Sequence, residues 1–158
     1  MFYGQSIFLV EQYALVIAQS LGNDDEIEKL YFEEYDFKYT KDKLLQSSLF
    51  SSNNIILIKL DKKIPKKEVD SLIEACNLNP DSTLIFACLG DSDFKTMEAS
   101  FSLKTNSAAV RFFLPTDTEA IKFLEYEAKM LNMKVESSAL NHLYFMHKND
   151  LALCVNDM

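Results

Sequence analysis

The chain has 158 residues and a formal net charge of −8, because 24 acidic side chains outnumber 16 basic ones. A surface of that sign repels phosphates, so the composition argues against direct DNA binding. No apolar run approaches the roughly 18 residues that span a bilayer, so no membrane association is expected. The three cysteines, Cys76, Cys88 and Cys154, lie far apart among apolar neighbours and predict buried, reduced thiols in a cytoplasmic protein.

Up to Pro115, predicted strands and helices alternate along the chain. Apolar residues at helical spacing predict a helix over 7–21 with Gly22 as its C-terminal cap, and the acidic stretch Asn23-Asp24-Asp25-Glu26 predicts a solvated loop. An Ile-rich run over 54–60 predicts a strand buried on both faces of a parallel sheet. The predicted elements are strands over 1–4, 28–32, 54–60, 83–89 and 108–113, and helices over 7–21, 41–48, 65–76 and 93–101. This alternation predicts an α/β fold, a mostly parallel sheet flanked by helices.

After Pro115 the sequence shows only helical patterns. Helices are predicted over 118–131 and 137–146, and Asn149-Asp150 predicts the cap of a third. We therefore expect two domains, an α/β domain over residues 1–115 and the start of a small helical domain over 116–158.

The segment after the first predicted strand lacks the features of a phosphate-binding loop. Such a loop needs glycines, whose backbone can turn its N–H groups toward phosphates, and a Lys followed by Ser or Thr. Residues 4–10 contain one glycine, Gly4, and no lysine, and the whole chain has only three glycines. A Walker A loop and a dinucleotide-binding turn are both excluded. Asp61, which follows the strongest strand, is next to Lys62 and is interpreted as a solvated strand end.

No catalytic or metal-binding constellation is apparent in the sequence. His142 and His147 are five residues apart, so on one helix they diverge and cannot chelate a metal together. We therefore predict no catalytic residues, no cofactor and no metal, and a protein that is not an enzyme by itself.

One short motif is chemically specific. Residues 46–50 read Gln46-Ser47-Ser48-Leu49-Phe50, which fits the pentapeptide by which many bacterial proteins bind the sliding clamp of DNA replication. A Gln side chain can both donate and accept hydrogen bonds, and a Leu-Phe pair can fill an apolar pocket. The alternative is that Leu49 and Phe50 pack into the core of the domain. Small polar residues on both sides favour an exposed apolar tip, which usually marks a binding site.

Four segments, in their order and spacing, resemble the delta subunit of the bacterial DNA polymerase III clamp loader. They are Phe2-Tyr3-Gly4-Gln5-Ser6-Ile7-Phe8-Leu9-Val10-Glu11, Ser48-Leu49-Phe50-Ser51 with the strand that follows, Leu114-Pro115 with its helix, and Asn149-Asp150-Leu151 with Asn156 downstream. Asp157 stands where the family usually has Glu.

The resemblance implies an AAA+-like domain with a degenerate P-loop that does not bind nucleotide. It implies that Leu49 and Phe50 bind the beta sliding clamp and favour its opening, within a motif that includes Gln46, Ser47 and Ser48. In a full-length subunit the further partners would be the gamma/tau and delta-prime subunits, and DNA would be reached only through the complex. The family pattern also predicts that this chain is a monomeric fragment without the C-terminal collar.

Two other functions remain open from the sequence. The chain could be an inactive α/β protein-interaction module of another complex, with Leu49 and Phe50 buried. It could also be a small-molecule enzyme that uses Asp61 or Asp91 as an acid at the carboxyl edge of the sheet.

Overall fold

The computed structural model describes residues 1–46, 53–90 and 92–158. The chain divides into two compact units, Met1–Phe112 and Phe113–Met158. The first unit is built from strands and helices, and the second from helices.

The elements of the first unit follow one another in β-α alternation. In chain order they are β1 (Phe2–Gly4), α1 (Ile7–Leu21), β2 (Ile27–Tyr31), α2 (Phe37–Leu45), β3 (Asn54–Leu60), α3 (Lys66–Leu78), β4 (Ser82–Cys88), α4 (Lys95–Glu98) and β5 (Val110–Phe112). Short 3-10 helices occur at Asp24–Glu26, Phe32–Glu34 and Leu103–Thr105.

The strands form a five-stranded sheet in the order β2-β3-β4-β1-β5, and every pairing is parallel. The longest ladder joins β3 to β4, from Asn54 opposite Ser82 to Leu60 opposite Cys88. Non-consecutive neighbours in this order require crossover connections, which the helices provide. The predicted fold class, an α/β fold with a parallel sheet flanked by helices, is confirmed.

The interior strand β3 divides its side chains between two cores, because successive residues of a strand point to opposite faces. Ile55 and Leu57 pack in the cluster that contains Val10, Ala14 and Ala18 of α1. The cluster on the other face contains Ile56, Ile58 and Leu60 of β3 together with residues of α2, α3 and α4. Helices therefore cover both faces of the sheet, which explains why β3 reads as a continuous apolar run.

The second unit packs three helices, α5 (Asp117–Met130), α6 (Ser137–Met146) and α7 (Leu151–Asn156). Thr116 begins α5 with a capping box, in which its backbone N–H donates to Glu119 Oε2 at 2.9 Å. Asp150 caps α7 by accepting hydrogen bonds from the N–H groups of Ala152 and Leu153. The core of this unit consists of Ala120, Ile121, Leu124, Ala128, Leu140, Tyr144, Leu151 and Cys154.

Helix α2 differs from its prediction at both ends. The sequence pattern predicts a helix over 41–48, whereas α2 runs from Phe37 to Leu45. Its start is fixed by Asp36, whose carboxylate accepts the N–H of Tyr39 at 2.7 Å. Its end is fixed at Gln46, whose backbone is extended at φ −78° and ψ 128°.

Two smaller predictions are corrected. The helix predicted over 93–101 is only the four-residue α4, because the N–H groups of Ser100 and Phe101 turn back to carbonyls three residues earlier. The loop predicted over 23–26 contains a 3-10 helix, Asp24–Glu26, which Asn23 precedes as N-cap. Gly22 is the C-cap residue of α1, as predicted, and its backbone there is extended at φ −170°.

Candidate functional site

The residues that begin the candidate clamp-binding motif lie at the end of α2. Gln46 is exposed, and its N–H donates to the carbonyls of Asp42 and Lys43, both at 3.2 Å. Its own carbonyl accepts a hydrogen bond from Asn79 Nδ2 at 3.1 Å. The preceding residue, Leu45, is also exposed. The backbone of Gln46 is thus held at both its N–H and its C=O, while its side chain faces solvent.

The other residues of the motif, Ser47, Ser48, Leu49 and Phe50, lie outside the described residues. Their predicted role in binding the clamp therefore stays a prediction. The chain is described again from Asn53, whose side-chain amide donates to the carbonyl of Leu21 at the end of α1, at 2.9 Å.

The connection from β1 to α1 consists of Gln5 and Ser6, between a strand that ends at Gly4 and a helix that begins at Ile7. The N–H of Gln5 donates to the carbonyl of Phe112 at 2.7 Å, and the Ser6 hydroxyl caps α1. A Walker A loop needs a longer turn whose N–H groups point at phosphates. The geometry of this connection agrees with the sequence, which offers no phosphate-binding loop here.

A cavity of about 270 Å³ lies at the carboxyl edge of the sheet. It is lined by residues that follow β1 and β4, including Gln5, Ser92 and Lys95, and by Arg111 of β5. Asp61, one of the two acids considered for a small-molecule enzyme, is exposed and does not line this cavity. Asp91, the other acid, lies outside the described residues.

The histidines and cysteines do not form a metal site in the described part of the chain, where no group of three His, Cys, Asp or Glu side chains could hold a metal ion. His142 is exposed, and His147 Nε2 lies 2.8 Å from Asp157 Oδ2. All three cysteines are free; Cys88 and Cys154 are buried, and Cys76 is half-buried rather than buried as predicted.

Burial controls the chemistry of these thiols. It raises the pKa of Cys88 to about 12 and that of Cys76 to about 11. Burial also raises the pKa of Cys154. Such thiols are protonated at neutral pH and are poor nucleophiles.

Known proteins resemble this chain in sequence and in fold. A family model described as a middle domain matches residues 116–158. Proteins of Helicobacter pylori strains J99 and 26695 are 26% and 25% identical to it, in alignments that cover 99% of this chain. Each alignment covers 51% of the relative, so the chain spans about half the length of the curated relatives it matches.

Among solved structures, the DNA clamp loader delta protein of Bacillus subtilis matches 99% of this chain with a TM-score of 0.66. The fold is similar to that of a clamp loader delta protein. The match covers 50% of the Bacillus protein at 16% sequence identity, so the likeness concerns the fold. In the described part of this chain, no helix has the length and apolarity required to cross a membrane.

Sequence reasoning did not identify Asn79, which contacts the backbone of Gln46. Asn79-Pro80-Asp81 connects α3 to β4, and turn chemistry accounts for these residue types locally. Its contact with Gln46 joins residues 33 positions apart, and no local pattern indicates such a pairing.

Proposed function

We propose that this chain is part of a clamp-loader delta subunit and binds the beta sliding clamp of DNA replication through Leu49 and Phe50. The observation that carries the proposal is the clamp-binding pentapeptide, which begins at Gln46 directly after α2 in a fold similar to that of a clamp loader delta protein.

The exposed end of α2 supports this role. Gln46 and Leu45 present a hydrogen-bonding amide and an apolar side chain to solvent, and they precede the Leu-Phe pair by a few residues in the sequence. Complete burial of Leu49 and Phe50 in an apolar pocket of the clamp would stabilise the complex by roughly 1.5–3 kcal/mol for each side chain, before the costs of association. Two such side chains can dominate a small interface.

The remaining parts of the proposal concern the longer protein. We expect the subunit not to hydrolyse ATP, because the β1–α1 connection offers no phosphate-binding loop. The gamma/tau and delta-prime subunits are its proposed partners within the DNA polymerase III holoenzyme. With a net charge of −8, this chain would approach DNA only through the assembled complex.

The test is direct binding to the purified beta clamp of the same organism, measured by calorimetry. We expect the wild-type chain to bind and the Leu49→Ala/Phe50→Ala variant to bind at least about 100-fold more weakly. A matched control is Leu103→Ala/Leu114→Ala, which removes two apolar side chains that are 95% and 67% exposed. The control should bind as the wild type does.

Equal affinity of the wild type and the Leu49→Ala/Phe50→Ala variant would overturn the assignment. If the wild-type chain does not bind the clamp at all, the interaction-module hypothesis replaces it. Circular dichroism spectra of all variants establish that each one is folded before its affinity is compared.

A further inference from the structure

The last carbonyls of α2 are held by side chains from elsewhere in the fold. The final four carbonyls of any α-helix lack partners within the helix. Here Asn79 Nδ2 lies 2.9 Å from the carbonyl oxygen of Leu44 and 3.1 Å from that of Gln46. Asn79 is only 8% exposed, so its amide donates to these carbonyls in a place that water hardly reaches.

Ser82 completes this arrangement and uses all of its hydrogen-bonding capacity. Its hydroxyl donates to the carbonyl of Leu44 at 2.8 Å and accepts from Asn54 Nδ2 at 3.1 Å and from Asn79 Nδ2 at 3.0 Å, whose two hydrogens are shared among this hydroxyl and the carbonyls of Leu44 and Gln46. A serine hydroxyl has one donor and two acceptor positions, so none remains unused. Ser82 is 5% exposed, and a fully connected buried network of this kind is rigid.

The chain is also anchored after the motif, at Asn53 and Asn54. Asn54 Nδ2 donates to the carbonyl of Lys43 at 2.8 Å, which ties the start of β3 to the end of α2. Asn53 Nδ2 donates to the carbonyl of Leu21 at 2.9 Å, and its N–H lies 3.4 Å from Glu26 Oε1. Both ends of the segment between Gln46 and Asn53 are therefore fixed by side-chain amides.

The backbones of Asn79 and Ser82 are held in turn by helix α3 and by the turn that leads into strand β4. The N–H of Asn79 continues α3 by donating to the carbonyl of Ala75 at 3.2 Å, and its Oδ1 accepts the N–H of Asp81 at 3.3 Å. The N–H of Ser82 donates to the carbonyl of Asn79 at 3.0 Å at the start of β4. Asn79 and Ser82 thus connect the end of α3 and the start of β4 to the end of α2.

We infer that Asn79 and Ser82 are positioning residues for the clamp-binding segment, because they hold the end of α2 at Leu44 and Gln46, where that segment begins in the sequence. This inference rests on the proposed function. Holding the ends of a binding segment before the partner arrives reduces the conformational entropy lost on binding, so it raises affinity without a contact to the partner.

The test compares clamp affinity of Asn79→Asp with that of the wild type at pH 8. The substitution keeps size and the acceptor for Asp81, but it replaces both donors with a carboxylate oxygen that faces carbonyl groups. We expect clamp binding to weaken roughly five- to thirtyfold, toward the affinity of a free synthetic peptide of residues 43–55. Ser82→Ala should weaken binding in the same direction, and Ser82→Thr, which retains the hydroxyl, should restore it.

Asn77→Asp is the matched control, because Asn77 is exposed near the end of the same helix and donates to the carbonyl of Thr105 at 3.2 Å instead. Its clamp affinity should equal that of the wild type. A merely structural network would lower the unfolding temperature of Asn79→Asp while the folded protein still bound with wild-type affinity.

The outcomes separate the two proposals. Wild-type affinity of both Asn79→Asp and Ser82→Ala, combined with loss of binding in Leu49→Ala/Phe50→Ala, overturns the positioning role and leaves the proposed function intact. Unchanged binding in Leu49→Ala/Phe50→Ala overturns the proposed function and the positioning role with it.

Discussion

The ammonium group of Lys59 lies 2.5 Å from Oε1 of Glu11, and this ion pair joins the interior strand β3 to helix α1. Lys59 is the one charged residue in a strand that is otherwise apolar apart from Asn54, and its Nζ also lies 5.2 Å from the ring centroid of Tyr31. The hydrogen bond to Glu11 raises the pKa of Lys59, by more than burial lowers it. The pair therefore links stability to pH at alkaline values.

Replacing Lys59 with methionine should lower the unfolding free energy of the protein at pH 7, and the loss should be smaller at high pH. The folded-state pKa of Lys59 is raised above its ordinary value of about 10.4. The ion pair therefore contributes its full stability below about pH 10.4, and this contribution is lost as the pH rises through the folded-state pKa. Glu11 is 44% exposed, so solvent screening limits the expected loss in unfolding free energy to about 0.5–1 kcal/mol.

Urea denaturation of the wild type and Lys59→Met at pH 7 and pH 11 measures this loss. Lys66→Met is the control, because Lys66 pairs with Asp70 at the surface, with side chains that are 51% and 48% exposed. At pH 7, Lys66→Met should change the unfolding free energy less than Lys59→Met does. A difference between wild type and Lys59→Met that is the same at both pH values would contradict the linkage.

Gly4 cannot be replaced without disturbing the sheet. Its φ is +143°, and a Cβ at this position would lie 1.9 Å from the carbonyl oxygen of Phe112. Gly4→Ala should therefore lower the unfolding free energy by roughly 2–4 kcal/mol, because both the backbone conformation and the β1–β5 pairing are strained.

Gly22→Ala is the matched control in thermal denaturation. Gly22 has extended backbone at φ −170°, and the atoms nearest to an added Cβ belong to the side chains of Ile55 and Glu26. Those side chains can shift, so Gly22→Ala should lower the unfolding temperature less than Gly4→Ala does. An equal loss of stability in the two variants would show that the close approach of the Phe112 backbone does not account for the effect of Gly4→Ala.

Local patterns predicted the elements whose periodicity is long and uninterrupted. The bounds of α1, β3 and α6 coincide with those expected from the sequence. Helix α2 begins before its predicted start because its first turn contains two aromatic residues, Phe37 and Tyr39, which are weaker helix formers, and depends on the Asp36 cap. The order of strands and the hydrogen bonds of Asn79 to α2 join residues far apart in sequence. They depend on the tertiary fold, which no local pattern encodes.

The three thiols should react slowly with a disulfide reagent in the native protein. With a pKa of about 12, Cys88 is a thiolate in only about one molecule in 10,000 at pH 8, and it is buried as well. We expect Cys76, which is half-buried with a pKa of about 11, to react first. All three thiols should react rapidly after unfolding in urea.

The rate of thiol release at pH 8, followed by absorbance, measures this difference. Cys76→Ala should remove the fastest native phase and leave the two slower ones. Rapid modification of Cys88 in the folded protein would mean that its side chain is accessible, contrary to its 1% exposure.

The chain should not bind ATP at its β1–α1 connection. The N–H of Gln5 is already bonded to the carbonyl of Phe112, and residues 4–10 contain no lysine to pair with phosphates. Titration with Mg·ATP, followed by calorimetry, should show no saturable binding at concentrations up to about 1 mM, a range that detects binding stronger than about −4 kcal/mol.

A weak signal could still come from the carboxyl-edge cavity, where Lys95 and Arg111 supply positive charge. Lys95→Met tests this source, because Lys95 lines the cavity together with Gln5 of the β1–α1 connection but belongs to α4. Binding that Lys95→Met abolishes would mean that Lys95, and not a lysine of the connection, pairs with the phosphates. Saturable binding that survives Lys95→Met would contradict the loss of the phosphate-binding loop, and with it the proposal of a subunit that does not hydrolyse ATP.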